Sequence, residues 1–241
     1  MSNAKIISDK LKKFCSERGF NQAVVGLSGG VDSAVTLALA VQALGAENVF
    51  GLILPRQNVS SNESKNLAEK VAEQFGVQVH EFEIGELIEK FTPPWEQNHL
   101  AEINLAPRLR MTALYHFANS QNALVLGTSN RSEILLGYGT KFGDFAADVE
   151  VLGNLFKTEV FELARELEVP AEIIDRPPTA ELHAGQTDAA ELGANYKIID
   201  EILQKLEKNN FELPSDSTEF EKKILARVLG NKHKTECTPV L

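Results

Sequence analysis

The sequence predicts an α/β fold, a doubly wound parallel sheet covered by helices on both faces. Three observations predict it. Short apolar runs at residues 23–27, 49–54, 77–84 and 123–127 read as strands buried inside a sheet. Segments of about a dozen residues with helical periodicity separate them, the length that a right-handed crossover between parallel strands requires. The chain has 241 residues, 43% of them hydrophobic and 24% charged, enough for a sizeable core.

Each element can be justified in order. Residues 5–18 form an amphipathic helix stopped by Gly19. Residues 23–27 form the first strand, which runs into Ser28-Gly29-Gly30. Residues 32–44, rich in Ala, Leu and Val, form a helix that Gly45 ends. Residues 49–54 are the second strand, closed by Pro55. Ser61 or Asn62 caps a helix running to Phe75, and Gly76 stops it. Residues 77–84 alternate as a third strand, and Phe91-Thr92-Pro93-Pro94-Trp95 is a break. A helix spans 107–119, with Pro107 in its first turn. Residues 123–127 are the fourth strand, ending in Thr128-Ser129-Asn130. Residues 137–155 read as a long ordered loop, 157–167 as a helix and 177–193 as a second loop. Amphipathic helices follow at 195–207 and 216–229, then a basic tail at 231–234. With no internal repeat and no linker, residues 1–241 read as one domain.

Composition excludes several functions. The formal charge of −10 argues against a nucleic-acid partner, since phosphate backbones need a concentrated basic surface. Cys15 and Cys237 form no CxxC pair, so no zinc ribbon, iron–sulfur cluster or disulfide framework is expected. That usage suits a reducing cytoplasm. No apolar stretch is long enough to span a membrane.

The motif with the most chemistry is Leu27-Ser28-Gly29-Gly30-Val31-Asp32-Ser33, placed between a strand ending at Gly26 and a helix. Two glycines allow a sharp turn and a close backbone approach to a ligand. The amides that open the next helix point into the loop, as an anion site requires. Ser28 and Ser33 bring hydroxyls, and Asp32 is suited to a Mg²⁺ bridging phosphate oxygens. The loop lacks the Lys that grips terminal phosphates in a GxxxxGK[ST] loop. This points to pyrophosphate binding rather than terminal phosphoryl transfer.

SGGVDS resembles the loop of the ATP pyrophosphatases, or PP-loop enzymes, which cleave ATP to AMP and pyrophosphate while activating an oxygen as an adenylate. Further segments resemble the NAD synthetase family within that group: Asn104 to Met111, Leu126 to Glu133, Gly137 to Asp144, Ala147-Asp148, Leu155 to Thr158, Pro178 to Leu182 and Gly185 to Asp188. They occur in one order from about residue 20 to the tail. The resemblance implies an adenine-nucleotide α-hydrolase-like fold. It also implies the last step of NAD biosynthesis: nicotinate adenine dinucleotide (deamido-NAD), ATP and ammonia give NAD, AMP and pyrophosphate through an adenylated intermediate. The alternative is another PP-loop amidotransferase or sulfur transferase. The acidic charge and missing CxxC weigh against tRNA thiolation.

By the same resemblance, Gly26 to Ser33, Thr128, Lys157 and Thr179 contact ATP, and Asp32 and Glu133 hold Mg²⁺. Arg108, Lys141, Asp148, His233 and Lys234 hold deamido-NAD. Physical chemistry agrees in part. Thr128 leaves the fourth strand at its carboxyl end, where open α/β sheets bind ligands. Lys157 at a helix start opposes the helix dipole, which asks for an anionic partner. A carboxylate and phosphates call for donors such as Arg108 and Lys141. Asp144 and Lys157 are the catalytic candidates: Asp144 to bind ammonium and help remove its proton, Lys157 to disperse charge on the leaving pyrophosphate. Residues 180–193 read as a lid. The chain leaves no room for a glutaminase domain, so free or delivered ammonia is expected. A homodimer is expected, with 107–119 and 195–207 as candidate surfaces. Val151, Pro107 and Ala189 depart from the family's usual Pro, Ala and Glu.

Overall fold

The computed structural model describes residues 2–56, 59–91, 93–96, 98–179 and 187–240. Five parallel strands form one sheet in the order β3-β2-β1-β4-β5: β1 (Gln22–Gly26), β2 (Val49–Ile53), β3 (Gln78–Glu81), β4 (Ala123–Gly127) and β5 (Val149–Glu150). The register pairs Val24 with Phe50 on one side and with Val125 on the other. Winding runs outward from β1 to β3, then returns to the other side of β1 with β4. The carboxyl ends of β1 and β4 therefore form the switch point where a crevice opens.

Alternation sorts the strands onto two covered faces. Ala23 and Val25 of β1 pack in a core with helices α1 (Asn3–Glu17), α2 (Val31–Leu44), α3 (Asn62–Gln74) and α7 (Lys157–Glu166). Val24 faces the opposite core with Leu52, Val125 and residues of α5 (His99–Gln121). The short α4 (Gly85–Lys90) joins that second layer, and α8 (Ala171–Ile174) the first. A third cluster is wholly helical. It joins α6 (Arg131–Leu136), α9 (Asp188–Leu192), α10 (Tyr196–Lys208) and α11 (Glu219–Asn231) around Leu136, Ile199, Leu203 and Ile224.

Three expectations change. The helix expected at 107–119 begins at His99, where the Asn98 side chain accepts from Ala101 N at 2.8 Å. Pro107 therefore sits mid-helix. A proline there costs roughly 3 kcal/mol in isolation, but its buried ring packs against the turn at Gly143, where an added Cβ would come within 2.8 Å. The loop at 137–155 contains β5, a strand of two residues and so too short to show alternation. The 177–193 loop contains α9, capped by Thr187, while residues 180–186 of the expected lid lie outside the described residues.

Candidate active site

The glycine loop is braced by its own serines. Ser33, buried at 3% exposure, donates to Gly30 O at 3.0 Å and meets Ser28 Oγ at 3.2 Å. Gly30 N donates to Ser28 Oγ at 3.2 Å, and Leu27 N to Leu52 O at 2.8 Å. The two hydroxyls thus brace the loop backbone. Gly29 has φ +79°, and a Cβ there would meet Ser64 O at 2.2 Å. Gly30 caps α2 without a side-chain bond, so the amides of Val31, Asp32 and Ser33 open toward the loop. Gly26 ends β1, one residue before the loop begins.

Asp32 is joined to the next strand's exit. Asn130, fully buried, donates from Nδ2 to Asp32 Oδ1 at 2.8 Å. Asn130 also caps α6: its Oδ1 accepts from Glu133 N at 3.0 Å, and its N donates to Glu133 Oε2 at 3.2 Å. Thr128 lies between β4 and this cap. Lys157, 3% exposed, places its ammonium 2.5 Å from Asp32 Oδ2 and 3.2 Å from Glu133 Oε1. Burial opposes charge on Lys157, but the Asp32 and Glu133 carboxylates outweigh it and hold the ammonium charged above the usual lysine range. Burial, aided by Asp32, pushes Glu133 up to about 7 against the opposing effect of Lys157.

The dipole conflict at Lys157 is answered mainly from within the protein. Asp200 of α10, 1% exposed, accepts from Thr158 N at 2.9 Å and from Ser132 Oγ at 2.5 Å. Ser132 Oγ in turn accepts from Lys157 N at 2.9 Å. A carboxylate from another helix thus caps α7. Beyond Lys157, Tyr196 donates to Asp188 at 2.8 Å and Tyr138 donates to Asp188 at 3.1 Å and Glu191 at 2.7 Å. Burial raises the Asp188 carboxyl above its ordinary range. Thr179 closes the described segment that leads to residues 180–186.

The basic residues gather on an adjoining wall. Arg108 Nε on α5 donates to Lys141 O at 3.3 Å, and Lys141 Nζ donates to His233 O at 2.7 Å. Lys234 Nζ donates to Gly137 O at 2.9 Å and Gly139 O at 3.2 Å; burial lowers its pKa. Asp144 sits in the turn between them, exposed, with Oδ2 accepting from Thr140 N at 2.8 Å. Asp148 stands apart from this group. It accepts from Val125 N at 2.8 Å and Tyr115 Oη at 3.4 Å, and lines a cleft of about 510 Å³ with Phe14, Arg18 and Asn119. Arg110 donates to Leu54 O at 3.0 Å, a tie within the fold.

Sequence reasoning missed Asn130 and Ser132 as individuals, although both lie in a motif it singled out. Asp200 gave no local signal, because its partners are 68 and 42 residues away. Asp32 and Glu133 offer hard oxygen donors, and Mg²⁺ is commonly held by one or two carboxylates plus phosphates, so this pair fits such an ion. Among the described residues no group of three potential ligands gathers.

Comparisons with known proteins bear on the family of the chain. The family model described as NAD synthase matches residues 4–238. An NH₃-dependent NAD⁺ synthetase of Archaeoglobus fulgidus is 43% identical, over 97% of this chain and 94% of that one. One from Methanococcus aeolicus is 44% identical over 86% and 85%. Among solved structures, an NMN synthetase from Francisella tularensis superposes with TM-score 0.87 at 33% identity, covering 100% and 99% of the two chains. An NH₃-dependent NAD synthetase from Campylobacter jejuni gives 0.81 at 30%, covering both completely. A glycine loop at the switch point, two carboxylates tied to one buried lysine, and a family match across nearly the whole chain lead to one statement: this chain belongs to the NAD synthase family.

Proposed function

We propose that the chain amidates deamido-NAD with ammonia and ATP, through an adenylated intermediate, giving NAD, AMP and pyrophosphate. The observation that carries this is the meeting of Asp32, Glu133 and Lys157 beside the glycine loop at the carboxyl ends of β1 and β4. The loop amides from Ser28 to Ser33, with Thr128 and Thr179, would receive the ATP phosphates. Asp32 and Glu133 would hold Mg²⁺, which neutralises charge on the leaving pyrophosphate. Lys157, charged and buried, is set to follow the same developing charge.

Arg108, Lys141, His233 and Lys234 form the wall that would orient the anionic acceptor. Asp148, in its own cleft, suits a hydroxyl or amide at the far end of a dinucleotide. The nicotinate oxygen attacks the α-phosphorus; ammonia then attacks the activated carbon and AMP leaves. Asp144, exposed in its turn, is placed to hold ammonium. Water exclusion would fall to the segment that includes residues 180–186.

A homodimer is part of this reading. Much of the apolar face of α10 packs in the helical cluster, with Ile198 left exposed. The α5 side, with Leu100 and Trp95 about two-thirds exposed, is the better candidate. A cytoplasmic setting suits two free cysteines, and among the described residues no helix is long and apolar enough to cross a membrane.

The test is an assay with ATP, Mg²⁺ and ammonium. NAD, AMP and pyrophosphate in equal amounts support the reading; no amidation of deamido-NAD overturns it. The Francisella relative is named an NMN synthetase, so nicotinate mononucleotide, the acid counterpart of NMN, belongs in the same assay as a second acceptor. A higher kcat/KM for the mononucleotide would reassign the acceptor while keeping the chemistry.

A further inference from the structure

Glu150 has no role in the reaction as proposed above, yet its carboxyl is buried near Glu133 and Asp144. It lies on β5 opposite Gly127 of β4. A Cβ at Gly127 would come within 2.2 Å of Glu150 Oε2, so the glycine makes the room this carboxyl occupies. Oε2 accepts from Ser129 N at 3.0 Å. Oε1 is buried and has no hydrogen-bond partner among the described residues. A lone buried carboxylate oxygen is costly to leave unmatched. Ser129 also ties to the turn that carries Asp144, since its hydroxyl donates to the Asp144 main-chain O at 3.4 Å.

We propose that Glu150 is the proton acceptor behind Asp144, receiving the proton that ammonium must lose before it attacks the adenylated carboxyl carbon. The inference rests on the amidation reading and on the placement of ammonium at Asp144. The step balances without any further reagent. An N–H bond of ammonium breaks and its electron pair stays on nitrogen as the nucleophilic lone pair. The proton forms an O–H bond on Glu150. The nitrogen then bonds the carbonyl carbon, the carbon–oxygen bond to AMP breaks, and the pair leaves with AMP. The second proton shed by the amide nitrogen goes to the departing phosphate.

The surroundings of Glu150 suit this task. Its titratable neighbours are Glu133 from α6, Asp144 from the preceding turn, and Tyr115 from α5. Burial pushes the Glu150 carboxyl up to about 8; the Ser129 amide opposes this, and Glu133 and Asp144 add to it. A general base works best when its pKa lies near the operating pH. An ordinary carboxylate would be too weak a base to take a proton from ammonium.

The test compares ammonium with hydroxylamine, a nucleophile that is uncharged at neutral pH and needs no prior deprotonation. Glu150→Gln keeps the shape and an oxygen for the Ser129 amide. With ammonium we expect kcat/KM to fall about a hundredfold, a usual size for loss of a general base. The ATP KM should hold, and the defect should shrink as rising pH supplies free ammonia. With hydroxylamine the variant should match the wild type. The wild type alone should show an ammonium profile rising through about 8 that is absent with hydroxylamine. Equal loss with both nucleophiles at every pH would mean that Glu150 only braces the loop. No loss with either would also overturn the role. A wild type that does not amidate deamido-NAD at all would sink the underlying reading instead.

Discussion

Lys157 Nζ stands 2.5 Å from Asp32 Oδ2, across 125 residues of sequence, with both groups at the mouth of the same crevice. Removing one member of a buried pair leaves the other unmatched, at a cost of about 3–5 kcal/mol. Glu133 remains beside Lys157, so the lower end applies here. Asp32→Asn is therefore expected to fold with a reduced Tm while pyrophosphate release falls at least about a hundredfold. Thermal melting and a pyrophosphate assay on the same sample check both halves. Full activity in the variant would remove Asp32 from the reaction.

Gly29→Ala tests the loop itself. A non-glycine residue at φ +79° carries about 1–3 kcal/mol of strain, and Ser64 O blocks the Cβ. The loop must shift away from α3. ATP affinity, read by calorimetry, should fall by about tenfold or more, with far-UV circular dichroism unchanged. Unaltered ATP binding would separate the loop from the nucleotide.

Lys141→Ala should weaken acceptor binding by roughly tenfold, the scale of one charge-assisted hydrogen bond, with ATP binding kept. Its ammonium now holds the tail through His233 O, so looser tail residues are a further expected effect. Loss of ATP and acceptor binding together would contradict the division of the site into two walls.

Asp200→Asn removes the carboxylate that caps α7. The expected cost is about 1–3 kcal/mol for unmatched buried donors, seen as a drop in Tm of about 2–4 °C per kcal/mol. Because Lys157 opens that helix, kcat should fall as well. Stability lost with kcat intact would limit Asp200 to the fold.

The raised Glu150 carboxyl makes stability depend on pH. Its ordinary value is 4.5 and its value in the fold is about 8. The folded state therefore binds the proton more tightly than the unfolded chain does. This contribution is full below 4.5 and is lost as pH rises through about 8. Melting of Glu150→Gln across that window should show a flatter pH dependence than the wild type. Identical slopes would contradict the shift.

Four of the five strands and most helices were legible because they depend on local periodicity. β4 matched its expected limits, and α2 and α3 matched within a residue. Pro107 misled because a buried ring against Gly143 is a tertiary fact that overrides helix propensity. β5 was hidden because two residues carry no pattern. The site divided along the same line. The glycine loop stood out by residue type and spacing, and Glu133 through the family resemblance of the contiguous segment that holds it. Asp200 and Glu150 act through burial and through partners far off in sequence, which no single window contains.

The strand order has a kinetic consequence. Asp32 follows β1, and the Asn130 that holds it follows β4, 98 residues later, after two complete crossovers to the other edge. Lys157 arrives later still. Closing such long loops is slow relative to forming helices. During refolding, the helical signal should therefore recover first and catalytic competence last, when β4 docks beside β1. A nascent or nicked chain without β4 carries the glycine loop but holds Asp32 without its partners. Activity is thus a report on the completed sheet.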